Sequence, residues 1–267
     1  MAMKKKLLEK MIGRVCIFLI ICTILCINAS AQPALHWYCK RNAQHLQPVI
    51  DSQLACVEQH QGIYVDKLHG DSSEDKVIYL TFDAGYENGN IEKILDVLKQ
   101  ENVGAAFFIL GNLITRNPEL VKRMSDDGHL VCNHTYSHKN ITKLRENELT
   151  DELHRLEQAY YDLTQKQLAK YFRPPEGTFD QDSLEVVCSQ GYKTVFWSFA
   201  YEDWDNQKQM NSQAAMKKIF DNLHNGEIML LHPTSATNAQ IMGDMIRQLK
   251  ALGYSFGTLD QLIFEGQ

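Results

Sequence analysis

From Val77 onward, short apolar runs alternate with stretches whose apolar residues recur every three to four positions. The first pattern predicts buried strands and the second predicts amphipathic helices. Seven strands are predicted in this way, at residues 77–82, 105–110, 129–133, 170–172, 194–201, 228–231 and 254–256. Strand–helix alternation produces a parallel sheet that is either open or closed into a barrel. We therefore predict an α/β fold, an incomplete (β/α) barrel of seven units.

Residues 32–76, which precede the first strand, show little periodicity and end in a polar stretch at 71–76. We predict that they form a short N-terminal extension packed on a main domain at residues 77–267. A chain of 267 residues is long enough for one domain with such an extension.

Residues 1–31 carry the three parts of a secretory signal peptide. The basic residues 4–6 precede an apolar run at 15–27, and the small residues 29–31 follow it. This order predicts cleavage after Ala31. The alternative is a retained membrane anchor, for which the run is short, because a spanning helix needs about 20 apolar residues. Both alternatives predict that the folded domain works outside the cytoplasm.

The charge balance narrows the choice of partners. The whole chain has a net charge of −6, and residues 32–267 carry 22 basic and 32 acidic residues, a net charge of −10. An acidic domain without a basic patch repels nucleic acid and other polyanions. We therefore predict no nucleic-acid partner, and a largely neutral glycan is the easier ligand.

Four of the seven cysteines lie beyond the leader, at positions 39, 56, 132 and 188. None of them has the C-x-x-C spacing of a metal site. In an exported protein Cys39 and Cys56 can form a disulfide. For Cys132 and Cys188, burial as small unpaired side chains is an equally good interpretation.

Polar clusters follow five of the predicted strands in succession. They are Thr81–Gly85, Asn133–His138, Arg173–Gly177, Glu202–Trp204 and Leu230–His232. The carboxyl ends of parallel barrel strands converge on one face, where active sites form. We therefore expect one cleft to contain the chemically active members of these clusters, which are Asp83, His134, His138, Arg173, Asp203 and His232.

Each cluster alone has a simpler explanation. A pair of histidines four residues apart is common by chance, and an aspartate at the end of a strand is often a turn or helix-capping residue. An Arg-Pro-Pro sequence can be no more than a rigid turn. The order of all five clusters at successive strand ends is what favours a catalytic site over packing.

The five clusters, in this order from about Val77 to the end of the chain, resemble the motifs of the polysaccharide deacetylase (NodB-homology) family, carbohydrate esterase family 4. This resemblance implies a distorted seven-unit (β/α) barrel that hydrolyses N-acetyl groups. The variants Thr81–Gly89 and Phe196–Ser198 resemble one branch, the muramic acid de-N-acetylases of spore-cortex delta-lactam synthesis.

The resemblance also implies roles for the acid–base residues. Asp83 would be the general base toward water, paired with Arg173. His232 would be the general acid to the leaving nitrogen, oriented by Asp203.

A divalent metal would be held by His134 and His138 and would polarise the acetyl carbonyl. The backbone N–H of Glu176 would help to bind the oxyanion. Trp204 would stack on the sugar in the groove.

Two positions depart from the family pattern. Ala84 stands where the family has a second aspartate, the third metal ligand, so a site of two histidines is expected to hold its metal weakly. Zinc is the expected ion, with cobalt or manganese as alternatives, and Glu87 and Asn88 are nearby oxygen donors. Glu176 stands where relatives often have an aromatic residue or arginine.

The expected reaction is hydrolysis of the N-acetyl group of N-acetylmuramic acid in peptidoglycan strands that an amidase has stripped of peptide. It would take place in the cell wall or the intermembrane space of the spore. The alternatives are a deacetylase acting on N-acetylglucosamine and, because of Ala84, a glycan-binding module that has lost catalysis.

Overall fold

The computed structural model describes residues 33–262, and those from Ala34 onward belong to one compact unit. The predictions for the leader at 1–31 lie outside the described residues. Among the helices of residues 33–262, none combines the length and apolar character that crossing a membrane requires.

A seven-stranded parallel sheet forms the centre of the described unit. Its strands are β2 (Lys76–Ala84), β3 (Ala106–Ile109), β4 (Leu130–Asn133), β5 (Ala169–Phe172), β7 (Lys193–Thr194), β8 (Glu227–Leu231) and β9 (Tyr254–Gly257). The order across the sheet is β7-β5-β4-β3-β2-β8, and β9 pairs with the first half of β2. The predicted parallel α/β architecture is confirmed.

Helices follow the strands as the periodicity predicts. They are α1 (Cys56–Gln59), α2 (Ile91–Glu101), α3 (Gly111–Arg116), α4 (Pro118–Asp126), α5 (Glu146–Thr164), α6 (Gln181–Ser189), α7 (Ser212–Asp221) and α8 (Ala236–Ala251). Two short strands, β1 (Leu35–His36) and β6 (Thr178–Phe179), pair antiparallel outside the main sheet.

Strand β2 is buried on both faces, which is typical of a central parallel strand. Ile78 and Phe82 pack in the largest apolar cluster of the core, together with residues of α2 and α8. Val77 and Tyr79 point to the opposite face and pack in a separate cluster with Phe108. Because both faces of β2 are covered, its side chains can reach a ligand only near the carboxyl end of the strand.

The prediction of a continuous strand at 194–201 is wrong. Pairing in the ladder ends at Thr194, and isolated bridges follow. Ile63 pairs with the residue after β7, and Val65 pairs with the first residue of β8. Residues 63–65 therefore satisfy backbone groups at the gap between β7 and β8. The apolar pattern of 194–201 reflects burial rather than continuous strand pairing.

The possible disulfide between Cys39 and Cys56 is not formed. All four cysteines in the described part of the chain are unpaired. The thiol of Cys39 donates a hydrogen bond to the carbonyl of Ser198 (3.1 Å), and burial raises its pKa to about 12. Cys56 instead begins α1 and is buried among apolar residues.

Candidate active site

A cavity of about 750 Å³ opens at the carboxyl ends of the parallel strands. Six of the eight predicted site residues line it: Asp83, His134, His138, Glu176, Trp204 and His232. The other two, Arg173 and Asp203, are buried directly behind and bond to residues of this lining. The topology therefore brings all eight residues together.

Asp83, near the end of β2, is paired with Arg173, which directly follows β5. Nη1 of the fully buried Arg173 donates to Oδ1 of Asp83 at 2.8 Å, and its Nη2 donates to the hydroxyl of Thr81. Burial alone would raise the pKa of Asp83, but the charge of Arg173, aided by nearby histidines, lowers it below the ordinary value. Asp83 is therefore ionised at neutral pH.

His134 directly follows β4 and is held in one tautomer. Its Nδ1 lies 2.8 Å from the carbonyl oxygen of Arg173, which can only accept, so Nδ1 carries the proton. Its Nε2 lies 3.6 Å from Oδ2 of Asp83. Burial lowers the pKa of His134 to about 4 against the opposing charge of Asp83. The neutral imidazole therefore has an Nε2 lone pair available to a metal.

The turn after β4 brings a second imidazole to the same cavity. The rings of His134 and His138 lie 5.0 Å apart, and His138 is exposed. Thr135 and His138 both adopt left-handed backbone conformations, with φ of 68° and 57°. Such conformations cost about 1–3 kcal/mol and persist where surrounding contacts impose them.

The oxygen donors next to Ala84 are committed to other bonds. Ala84 is fully buried in the core. The carboxylate of Glu87 accepts the N–H of Ile91 at the beginning of α2 (3.0 Å). Asn88 donates to the carbonyl of Thr234, and its own oxygen accepts from Asn90.

These bonds leave a pair of imidazoles as the metal-binding groups. Within residues 33–262, no three His, Cys, Asp or Glu side chains are grouped so that they could hold a metal ion. The donor set fits a divalent ion that takes two protein ligands, His134 and His138.

His232 directly follows β8 and is held by the buried Asp203. Nδ1 of His232 lies 2.7 Å from Oδ1 of Asp203. The other carboxylate oxygen, Oδ2, accepts a hydrogen bond from the side chain of Asn238. Burial lowers the pKa of His232, but the hydrogen bond and charge of Asp203 and the charge of Asp83 outweigh it and raise the pKa above its ordinary value. His232 is therefore suited to carry a proton into the cavity.

Two residues that the sequence interpretation singled out lie at the cavity surface. Glu176 is exposed in a left-handed conformation (φ 59°) within a short helical turn. Trp204 is 55% exposed, with its ring edge-on to that of His232 at 6.0 Å.

Sequence interpretation missed Tyr86, Asn238 and Glu152. Asn238 donates to Asp203, and Glu152 accepts two hydrogen bonds from Ser137, the residue before His138. Tyr86 is exposed at the cavity rim, where its hydroxyl accepts a bond from Asn206 (2.7 Å). Glu152 could have been found, because it is an acidic residue on the apolar stripe of α5. No comparable signal marks Tyr86.

Comparison with known proteins agrees with this geometry. The model of the family described as polysaccharide deacetylase matches residues 70–195. The peptidoglycan-N-acetylmuramic acid deacetylase PdaA of Bacillus subtilis is 39% identical over 232 residues, covering 86% of each chain. A peptidoglycan-N-acetylglucosamine deacetylase of Bacillus cereus is 34% identical, covering 69% of this chain and 67% of the relative.

The solved structure of Bacillus subtilis PdaA, described as a family 4 carbohydrate esterase, has the same fold. It superposes with a TM-score of 0.82 at 38% identity, covering 88% of this chain and 98% of that one. This match confirms the predicted (β/α) barrel. Deacetylases of this family depend on a metal in general. The chain therefore belongs to the polysaccharide deacetylase family, carbohydrate esterase family 4.

Proposed function

We propose that this enzyme hydrolyses the N-acetyl group of N-acetylmuramic acid residues in peptidoglycan. The observation that carries the proposal is that one cavity contains both a carboxylate that can accept a proton and an imidazole that can donate one. The carboxylate is Asp83, held by Arg173, and the imidazole is His232, held by Asp203. The similarity to PdaA over most of both chains supports the choice of sugar.

Hydrolysis of an amide requires an activated nucleophile, a stabilised oxyanion and a protonated leaving amine. Asp83 acts as the general base that accepts the proton of the attacking water. Arg173 holds Oδ1 of Asp83 and keeps the carboxylate ionised, which leaves Oδ2 as the atom that takes the proton.

His232 acts as the general acid. Asp203 binds its Nδ1, so that Nε2 is the nitrogen that donates a proton to the departing amine. The raised pKa of His232 keeps the ring protonated over a larger part of the neutral range. Because Asp203 also binds the backbone N–H of His232 (2.7 Å), the ring has little freedom to turn away.

His134 and His138 would hold the divalent ion, with zinc as the expected metal and cobalt or manganese as alternatives. When bound there, the ion supplies Lewis acidity to the acetyl carbonyl. Two imidazole ligands bind more weakly than the three ligands of most catalytic zinc sites. We therefore propose a weakly held, exchangeable metal, because Ala84 provides no ligand.

The remaining residues bind the substrate. The backbone N–H of Glu176, in its left-handed turn, is proposed as an oxyanion donor. The exposed face of Trp204 is proposed to stack on a sugar ring beside His232.

We propose that the reaction takes place outside the cytoplasm, in muramic delta-lactam formation of the spore cortex. The branch-like stretch Thr81–Gly89 and the signal-like residues 1–31 support this setting. The substrate would be glycan strands whose muramic lactyl group carries no peptide.

Mass spectrometry of glycans treated with the purified protein tests the proposal. Peptide-stripped wall strands and chito-oligomers are incubated separately with the protein and Zn²⁺, and Asp83→Asn provides the inactive control. We expect acetyl loss from muramic residues of the wall strands. Loss confined to glucosamine residues would favour the alternative substrate, and no loss from either glycan would favour a binding module.

A further inference from the structure

Helix α5 places a buried carboxylate beside the turn that contains both histidines. Glu152 is 2% exposed and shares a face of the helix with Leu149, Leu153 and Leu156. Burying a carboxylate costs free energy because the charge loses its hydration, so hydrogen bonds and an opposite charge must compensate it. Its partners are Ser137 and Lys139, which stand on either side of His138.

The hydrogen bonds use both oxygens of Glu152. Oε2 accepts the backbone N–H of Ser137 and Oε1 accepts its hydroxyl, each at 2.7 Å. Nζ of Lys139 lies 3.2 Å from Oε1. The carboxylate therefore fixes the backbone immediately before His138 and pairs with the side chain of the residue immediately after it.

The two histidines have different supports. His134 is buried and bound through its ring to the carbonyl of Arg173. His138 is exposed, and it is held through its backbone: its N–H donates to the hydroxyl of Thr135 at 2.9 Å. Because its left-handed conformation is intrinsically unfavourable, neighbouring contacts must maintain it.

We propose that Glu152 is the positioning residue for His138, and that it sets the affinity of the site for a divalent cation. It holds the turn 135–138 in the conformation that directs the His138 imidazole into the cavity. This inference rests on the proposed function, in which His134 and His138 hold the metal. Groups that orient a metal ligand without touching the metal typically change its affinity about 10–100-fold.

A purely structural role for Glu152 is the alternative, and Asp66 provides a matched control. Asp66 is also a carboxylate with 2% exposure, and it accepts a backbone N–H, that of Leu68, at 2.9 Å. It lies near the amino-terminal end of β8, at the other end of the sheet from the cavity. Asp66→Asn should therefore lower thermal stability and leave metal affinity unchanged.

Calorimetric titration of the metal-free protein with Co²⁺ measures the effect directly. We expect Glu152→Gln to weaken Co²⁺ binding about 10–100-fold, because the amide keeps the shape and loses the charge and one acceptor. Ser137→Ala, which removes one donor and leaves the carboxylate in place, should weaken binding in the same direction by a smaller factor. This second variant tests the proposal where Glu152→Gln fails to fold.

A double-mutant cycle decides whether the effect passes through His138. If it does, Glu152→Gln should cause no further loss of affinity in a His138→Ala background. An equal loss in both backgrounds, or wild-type affinity in Glu152→Gln, would overturn the inference and leave the proposed metal site standing. Wild-type affinity in His138→Ala would instead contradict the metal site itself, and the inference with it.

Discussion

Asp203 accepts two hydrogen bonds from His232, one from the ring Nδ1 and one from the backbone N–H, both at 2.7 Å. One carboxylate therefore fixes both the tautomer of the imidazole and the position of its backbone. Its hydrogen bond and charge also supply the main contribution that keeps the pKa of His232 above its ordinary value despite burial.

The pH profile of Asp203→Asn should reflect this dependence. A general acid must be protonated, so activity falls as pH rises through the pKa of His232. Without the charge of Asp203, burial lowers that pKa, and the alkaline limb of kcat/KM should move to lower pH. The measurement is kcat/KM against pH for both proteins. An alkaline limb that does not move would show that another group produces it.

Removal of either acid–base group should reduce the rate strongly. Asp83→Asn keeps the shape of the side chain but cannot accept the proton, and His232→Ala removes the proton donor. Each should lower kcat by about 10²–10⁴ under saturating metal. Acetate release measures the rate. The metal content of His232→Ala should equal that of the wild type, and near-full activity in either variant would refute the role assigned to that residue.

Ala84→Asp should lower the stability of the metal-free protein and raise its affinity for the metal. Ala84 is fully buried in the core, so an added carboxylate is costly unless it reaches the metal. We expect a lower Tm without metal and a larger rise in Tm on adding Zn²⁺ than in the wild type. Ala84→Asn, similar in size but uncharged, is the control. Equal Zn²⁺-induced shifts in both variants would rule out coordination by the new carboxylate.

The buried Glu227, at the amino-terminal end of β8, should make the stability of the protein depend on pH. It is fully buried, and its Oε1 has no hydrogen-bond partner. Burial raises its pKa well above the ordinary 4.5, so the folded state retains a proton that the unfolded chain releases. Its contribution to stability is therefore fully present below about pH 4.5 and declines as pH rises towards the folded pKa.

Glu227→Gln removes this titration. The Tm of the variant relative to the wild type should therefore increase from about pH 5 to about pH 8. His224, which packs against Glu227 and has a pKa lowered by burial, acts in the opposite direction and is unchanged in both proteins. A Tm difference that is constant with pH would contradict a protonated Glu227.

The sequence predicted those elements whose local pattern and burial agree. Strand β2 and helix α2 are examples, because β2 is a continuous apolar run and α2 has one apolar stripe. The site was predictable for the same reason. A parallel sheet carries the residues at the carboxyl ends of its strands to one edge, so the positions of Asp83, His134 and His232 follow from the strand ends.

Features that depend on distant partners could not be predicted. Beyond Thr194, the strand expected at 194–201 is replaced by isolated bridges, one of them with Ile63, which belongs to no recognisable pattern. Glu152 is recognisable as an acidic residue on the apolar stripe of α5, but its partner is not. Its contact with Ser137, fifteen positions earlier, is made only in the folded chain.

Competition between two glycans tests the preference for muramic residues. The branch-like stretch Thr81–Gly89 favours this preference, whereas a net charge of −10 over residues 32–267 opposes binding of a free lactyl carboxylate. The described cavity lining includes no lysine or arginine, so His232, whose pKa is raised, and the metal would have to provide the positive charge. We therefore expect the preference for peptide-stripped strands over chito-oligomers to weaken when the metal is removed and when His138 is replaced by alanine.

Equal amounts of both glycans are mixed, and the released acetate is assigned to each. Faster loss from the chito-oligomer would identify N-acetylglucosamine as the preferred sugar and leave the acid–base residues as assigned.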